Sequence, residues 1–454
     1  MVDPILNARL DILEQQLNIT NNPQMWFQKL RLTKWESDSE DLTRDWGKFT
    51  LWVGDELENQ KRKLQQIRAS LEQIKDRDDA DSNAIMNAAW TEYSGSLERS
   101  QMLFREFLEF IGGLIFRDKD FDAAICDLAD DLVKSVSPLV FITSSISVPA
   151  ARDSLARSLG WMVRVRFPEW TIWTLPFAAY EYAHVVLNEF ARVKEPINAR
   201  VEEWLETEPD FTALPEAEKL AQKQNGVLRQ RAEAHVKEFL ADGLATHLMG
   251  PAYACAAILL RFDPAGSTGR TLHPPIDGKR AYFVLKILEG MDGAGGTYTW
   301  IVDYLRRKWR DTCERIKGSE VSPEEEKRLN TLIQGWNEIT SKLRPDAQYS
   351  EMNWVIAGNW ANRWSEQLAQ PTRLDMPDID HASRLHNVLN AAWICRTRPL
   401  DEGANKDRLL SVGQINEIAE AAKQLCDRIR LKQNEQRRQN DKKKAKRLSM
   451  KLRP

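Results

Sequence analysis

Long apolar runs are missing from this chain of 454 residues. A bilayer span needs roughly 18–20 consecutive apolar residues. The longest candidate, 253–260, falls far short, so no membrane-spanning segment is expected. Cysteine is scarce: Cys126, Cys255, Cys313, Cys395 and Cys426 are scattered, odd in number and never in a CxxC pair. That spacing excludes a Cys-ligated zinc ribbon and argues against a disulfide framework. Reduced, buried thiols in a cytoplasmic protein are the expectation. The opening Met1-Val2-Asp3-Pro4 has no basic or apolar leader character, so no secretory signal is expected. Gly290, Gly293, Gly295 and Gly296 cluster without a following GKS/T or a preceding strand, which excludes a phosphate loop and leaves a hinge. No internal repeat of fixed period is present.

What the chain does have is helix pattern, tryptophan and uneven charge. Its hydrophobic fraction of 42% and charged fraction of 29% suit a globular protein of two or three domains. The net charge of -3 conceals a basic end. Residues 428–454 hold twelve Lys and Arg against two acids, leaving about -13 on everything before them. Such a tail could meet nucleic acid, an acidic partner or the body of the protein. It has no aromatic residue to stack on bases, so specific nucleic-acid recognition is not supported.

The first 137 residues read as an N-terminal helical region. Leu57, Leu64 and Leu71 repeat every seven, with Ile67 and Ile74 between and beyond them. This short heptad seam predicts an intramolecular antiparallel hairpin. Residues 76–82 make a polar loop, and Gly112-Gly113 a soft break in a later helix. From Pro138 the texture changes. Residues 139–143 and 162–173 carry the two strand signals, the second alternating Val163, Val165 and Phe167 with Arg164 and Arg166. The fold expected is therefore mainly α with a small β component. A core spanning 138–290 is followed by a C-terminal helical region, 297–427, packing on it, and the basic tail, 428–454. Leu175-Pro176 opens a helix to about Val193, a long polar helix runs from Glu216 to Met249, and Gly250-Pro251 stops it and starts an Ala-rich helix. Trp354, Trp360, Trp364 and Trp393 are expected in the core, and Trp170 and Trp173 beside a cleft.

Two strings carry the chemistry: Tyr180-Glu181-Tyr182-Ala183-His184 and Glu238-Phe239-Leu240-Ala241-Asp242. Residues four apart share a helix face, so positions 180 and 184 would point at one spot. Glu238 and Asp242 would do the same from a second helix. With His in place of Tyr180 the pair would read HExxH followed by ExxxD. The pattern resembles the gluzincin zinc peptidases, and EFLAD in particular is similar to the corresponding helix of the HtpX-type enzymes. The resemblance covers about residues 160–290. It implies His184 and Glu238 as zinc ligands, Glu181 as general base and Asp242 as support for a ligand. Tyr180 breaks the pattern at the first ligand position.

Three readings stay open at this stage. In the first, the chain is metallopeptidase-like with a degenerate zinc site, not fully occupied, that binds a peptide or protein partner. Tyr180 would then donate its hydroxyl to Asp242 or Glu238. In the second, His235, three residues before Glu238, restores a metal set of His184, His235 and Glu238, and the protein is an active peptidase. His273, before two prolines, would come back to the pocket or simply stiffen a turn. In the third, the match is accidental and the chain is a helical scaffold or adaptor.

Overall fold

In the computed structural model the chain is multi-helical. The structure describes residues 6, 9–11, 13–14, 17, 40–74, 80–118, 123–137, 146–150, 162–166, 171–265, 275–292, 296–316, 321–368, 374, 377–379, 383–398 and 410–451. The chain divides into two compact units, Met1–Ala123 with Val148–Leu159, and Ala124–Ser147 with Gly160–Pro454. The helices after residue 297 fall in the same unit as the core they were expected to pack on.

The first unit is built on α1 (Glu40–Gln73) and α2 (Ala80–Asp118). Leu57, Leu64, Ile67, Leu71 and Ile74 are all buried, so the heptad seam is an internal one. The pairing is antiparallel. Glu56 meets Arg99, and four residues on Gln60 accepts a hydrogen bond from Ser96 at 2.9 Å. Leu6, Leu10, Leu13 and Leu17, three and four apart, are buried as well, and Arg68 pairs with Asp11 and Glu14. Each fully buried Leu or Ile contributes about 1.5–3 kcal/mol, enough for this seam to organise the unit. Gly112 and Gly113 do not break α2, which runs on to Asp118.

The second unit begins with α3 (Ala123–Val136). Extended structure among the described residues is confined to two five-residue strands, β1 (Ile146–Ala150), which straddles the division of the chain at Val148, and β2 (Met162–Arg166) of the second unit. β2 falls on the alternating Val and Arg run, while residues 139–143 lie outside the described residues. Then come α4 (Phe177–Glu189), α5 (Ala191–Glu206), α6 (Pro209–Thr212), α7 (Glu216–Asn225) and α8 (Val227–Met249). The helix expected to reach Val193 ends early because Phe190 is extended (φ -82°, ψ 102°). The long polar helix is two helices, since Gly226 is extended between α7 and α8. α9 (Pro251–Ala256) runs into a π-helical turn, Ala257–Arg261. The order continues through α10 (Asp277–Asp292), α11 (Thr299–Ile316), α12 (Pro323–Gln334), α13 (Trp336–Thr340), α14 (Glu351–Leu368), α15 (Leu385–Thr397) and α16 (Val412–Lys451). Among the described residues no helix is long and apolar enough to cross a membrane.

One continuous core runs from α3 to α16. α8 is its axis, packed against α4, α5, α10 and α9. From Glu238 to Met249 every residue of α8 is buried, so this half carries no amphipathic stripe. The turn after it is positioned by Gly250, whose φ of 61° suits glycine, and by Asn390 of α15. The Asn390 amide donates to the Met249 carbonyl at 2.8 Å, and its oxygen accepts the Ala252 N–H at 2.9 Å. Trp354, Trp360, Trp364 and Trp393 are in the core as expected. Trp173 is buried too, edge-on to Trp393 at 5.2 Å, which makes it a core residue and not a cleft wall. Trp170 lies outside the described residues. The first part of the basic segment is anchored: Ile429 is buried, Arg430 pairs with Asp127 and Asp131 of α3, and Lys432 donates to the Ile379 carbonyl.

Two histidines in this core stay neutral when folded. Burial pushes His247 down from 6.5 to about 4 and His386 to about 3. The unfolded chain takes up protons on both below about pH 6.5, and the folded protein does not. Their contribution to stability is therefore complete above that pH and declines through about pH 4 for His247 and about pH 3 for His386. Urea unfolding of wild type and His386→Phe between pH 7 and pH 3.5 checks this. The wild type should lose on the order of 3 kcal/mol more than the variant; parallel curves would contradict it.

Candidate functional site

α4 and α8 pack directly on one another and bring the two strings together. Residues 177–187 are buried throughout except at His184, so α4 enters the core with its sequence motif facing inward. Tyr180 and Glu238 touch: the phenol donates to Glu238 Oε2 at 2.5 Å. His184 Nε2 lies 3.9 Å from the other oxygen of the same carboxylate. The Tyr180 and His184 rings meet edge-on with centroids 4.7 Å apart, as expected for residues one turn apart on a helix. Of the two acceptors open to Tyr180, the structure selects Glu238.

Asp242, wholly buried one turn beyond Glu238, has other partners. Arg280 of α10 grips it with two hydrogen bonds, Nε to Oδ2 at 2.7 Å and a terminal nitrogen to Oδ1 at 2.9 Å. Tyr253 of α9 donates its hydroxyl to Oδ1 at 2.5 Å. The same guanidinium lies 3.7 Å from Glu238 Oε2 and 3.6 Å from Asp277 Oδ1. One buried cation thus faces the carboxylates of positions 238, 242 and 277. Paired and bidentate, such a group is stable in a low-dielectric core; unpaired, it is costly.

A second guanidinium closes the cluster from above. Arg261, last residue of the π-helical turn, lies 4.6 Å from the Tyr180 ring centroid and 4.7 Å from that of Phe177. It lies 3.6 Å from Glu181 Oε1, and the Glu181 side chain is only 1% exposed. Among the described residues its NH1, which is buried, has no hydrogen-bond partner. The rings of Tyr180 and Tyr253 stack with centroids 6.2 Å apart.

Burial raises the pKa of Tyr180 well above the ordinary phenol range, opposed by the nearby Arg280 charge. Burial and the Asp242 carboxylate raise that of Tyr253. Both phenols are therefore neutral hydrogen-bond donors. Burial also raises the pKa of Asp277.

The zinc that the sequence pattern implies does not suit this donor set. The position of the pattern's first ligand holds a neutral phenol whose hydroxyl donates a hydrogen bond to the carboxylate at the position of the third. A guanidinium lies 3.7 Å from the oxygen that accepts it. Among the described residues no group of three or more His, Cys, Asp or Glu side chains could hold a metal ion, His184, His235 and Glu238 included. His235 is half-buried on α8, and His273 lies outside the described residues. Cys255 is buried, and its thiol pKa is raised by that burial, as for an inert core cysteine.

Sequence reasoning missed Arg261, Arg280 and Tyr253. Arg261 left one trace, a lone charge closing the apolar run from Ala252 to Leu260. Comparison with protein-family models, curated proteins and solved structures found no match.

The Arg280–Asp242 pair should behave as a unit. Asp242→Ala strips the buried guanidinium of both its hydrogen bonds and the Tyr253 hydroxyl of its acceptor, and should cost about 3–5 kcal/mol in chemical unfolding. Asp242→Leu combined with Arg280→Met removes both charges together and should recover part of that loss. A double variant as unstable as the single one would contradict this.

Proposed function

We propose that the chain is a metallopeptidase-like protein whose zinc site has become a closed polar cluster, and that it binds a peptide or protein partner without hydrolysing it. The contact that carries this reading is the 2.5 Å hydrogen bond from Tyr180 to Glu238. It joins the first and third ligand positions of the pattern that the sequence resembles. An accidental match of two common strings would have no reason to bring positions 180, 184 and 238 to one point.

The residues around that point favour binding over chemistry. A water-activating carboxylate works when a metal lowers the pKa of the water beside it. Glu181 instead faces the fixed charge of Arg261 at 3.6 Å. Tyr180, Glu238, Arg280, Asp242 and Tyr253 already satisfy one another. His184 stands at the edge of the cluster, with its side chain 19% exposed. A partner that reaches the cluster would meet that imidazole and one oxygen of Glu238. No observation favours the rewired, active alternative using His235.

The reading is tested by restoring the first ligand. Zinc titration by calorimetry on wild type, Tyr180→His and Tyr180→Phe should show a gain of about tenfold or more for Tyr180→His alone, since one added imidazole completes a three-ligand set. Equal zinc affinity in all three proteins would count against an inherited peptidase site.

A further inference from the structure

The two buried guanidiniums do different work. Arg280 is committed, with two hydrogen bonds to Asp242 and a place among three carboxylates. Removing it would leave the floor of the cluster uncompensated. Arg261 is not committed in this way. Among the described residues it makes no hydrogen bond; its NH1 is orphaned, and its nearest carboxylate oxygen, on Glu181, is 3.6 Å away. Its side chain is nevertheless only 9% exposed. Contact with the Tyr180 and Phe177 rings offsets part of the cost of burying it.

Its position follows from backbone geometry. α9 widens into a π-helical turn over Ala257–Arg261, with the Phe262 N–H reaching back to the Ala257 carbonyl at 2.8 Å. An inserted residue of this kind rotates the side chains that follow, and such turns gather at functional sites. Here the turn delivers a positive charge directly over the ring that occupies the first ligand position.

We infer that Arg261 is a built-in cation that keeps divalent metal ions out of the His184–Glu238 edge and holds Glu181 away from water activation. The inference rests on the reading of the cluster as an inherited metallopeptidase site and adds a second barrier to it. Loss of the first ligand is one; the guanidinium over its ring is the other. A divalent ion between His184 and Glu238 would lie beside Arg280, which is 3.7 Å from Glu238 Oε2, and next to Tyr180, whose ring centroid is 4.6 Å from the Arg261 guanidinium. Like charges at such range repel strongly where the dielectric is low. The substitution at position 180 alone therefore gives back only part of the metal affinity.

The test is zinc binding, with the metal alone as probe, in full-length Tyr180→His carrying also Arg261→Gln, Arg261→Met or Arg261→Lys. The two neutral replacements should each tighten zinc at least about tenfold relative to Tyr180→His. Arg261→Lys keeps the charge and should give no such gain. Arg261→Met retains an apolar stem for the Phe177 ring and serves if the Gln variant does not fold; thermal unfolding without metal establishes which variants are native. Equal affinity of Tyr180→His with Arg, Gln, Met or Lys at position 261 overturns the role of Arg261 and leaves the inherited-site reading intact. No zinc binding in any variant overturns both.

Discussion

The bidentate grip of Arg280 on Asp242 is the constraint around which the second unit is arranged. Asp242 is wholly buried in the middle of α8, and a bare carboxylate there would be untenable. Its satisfaction draws in α10 through Arg280 and α9 through Tyr253. The same guanidinium then lies within reach of Glu238, so the position that accepts the Tyr180 hydroxyl is held in the same field. One guanidinium and two phenols thus tie α4, α8, α9 and α10 to the same two carboxylates. Around Arg280, charge and hydrogen bonds are satisfied from inside the chain.

Sequence pattern and structure agree most closely where spacing alone decides geometry. Tyr180 and His184, or Glu238 and Asp242, are one helical turn apart and therefore share a face wherever their helix goes. The seam of Leu57, Leu64 and Leu71 likewise ends up internal. Gly250-Pro251 stops α8 where expected, because a positive φ and a missing N–H leave the backbone little choice. The polar loop read at residues 76–82 is cut short, since α2 already begins at Ala80.

Elsewhere tertiary packing overrides local signals. Gly112-Gly113 stays helical in α2, whereas Gly226 divides a segment that read as one helix. The end of α4 at Phe190 had no sequence signal, since an aromatic residue ordinarily continues a helix. The two site arginines were hidden for another reason. A charge buried by long-range pairing has no periodicity, and Arg280 lies 38 residues from the aspartate it serves. Only the partner's burial, visible in three dimensions, explains it. Tyr253 belongs to the same class: within an Ala-rich apolar run it reads as core, and its hydroxyl finds Asp242 only after the chain has turned at Gly250.

In the proposed function, internal hydrogen bonds and ion pairs stand where a zinc ion would in the enzymes this pattern resembles. Metal analysis of the purified wild-type protein, exposed to excess zinc and then dialysed, addresses it directly. The account predicts well under one zinc per chain after dialysis. A full equivalent that survives dialysis and is lost on His184→Ala would contradict it.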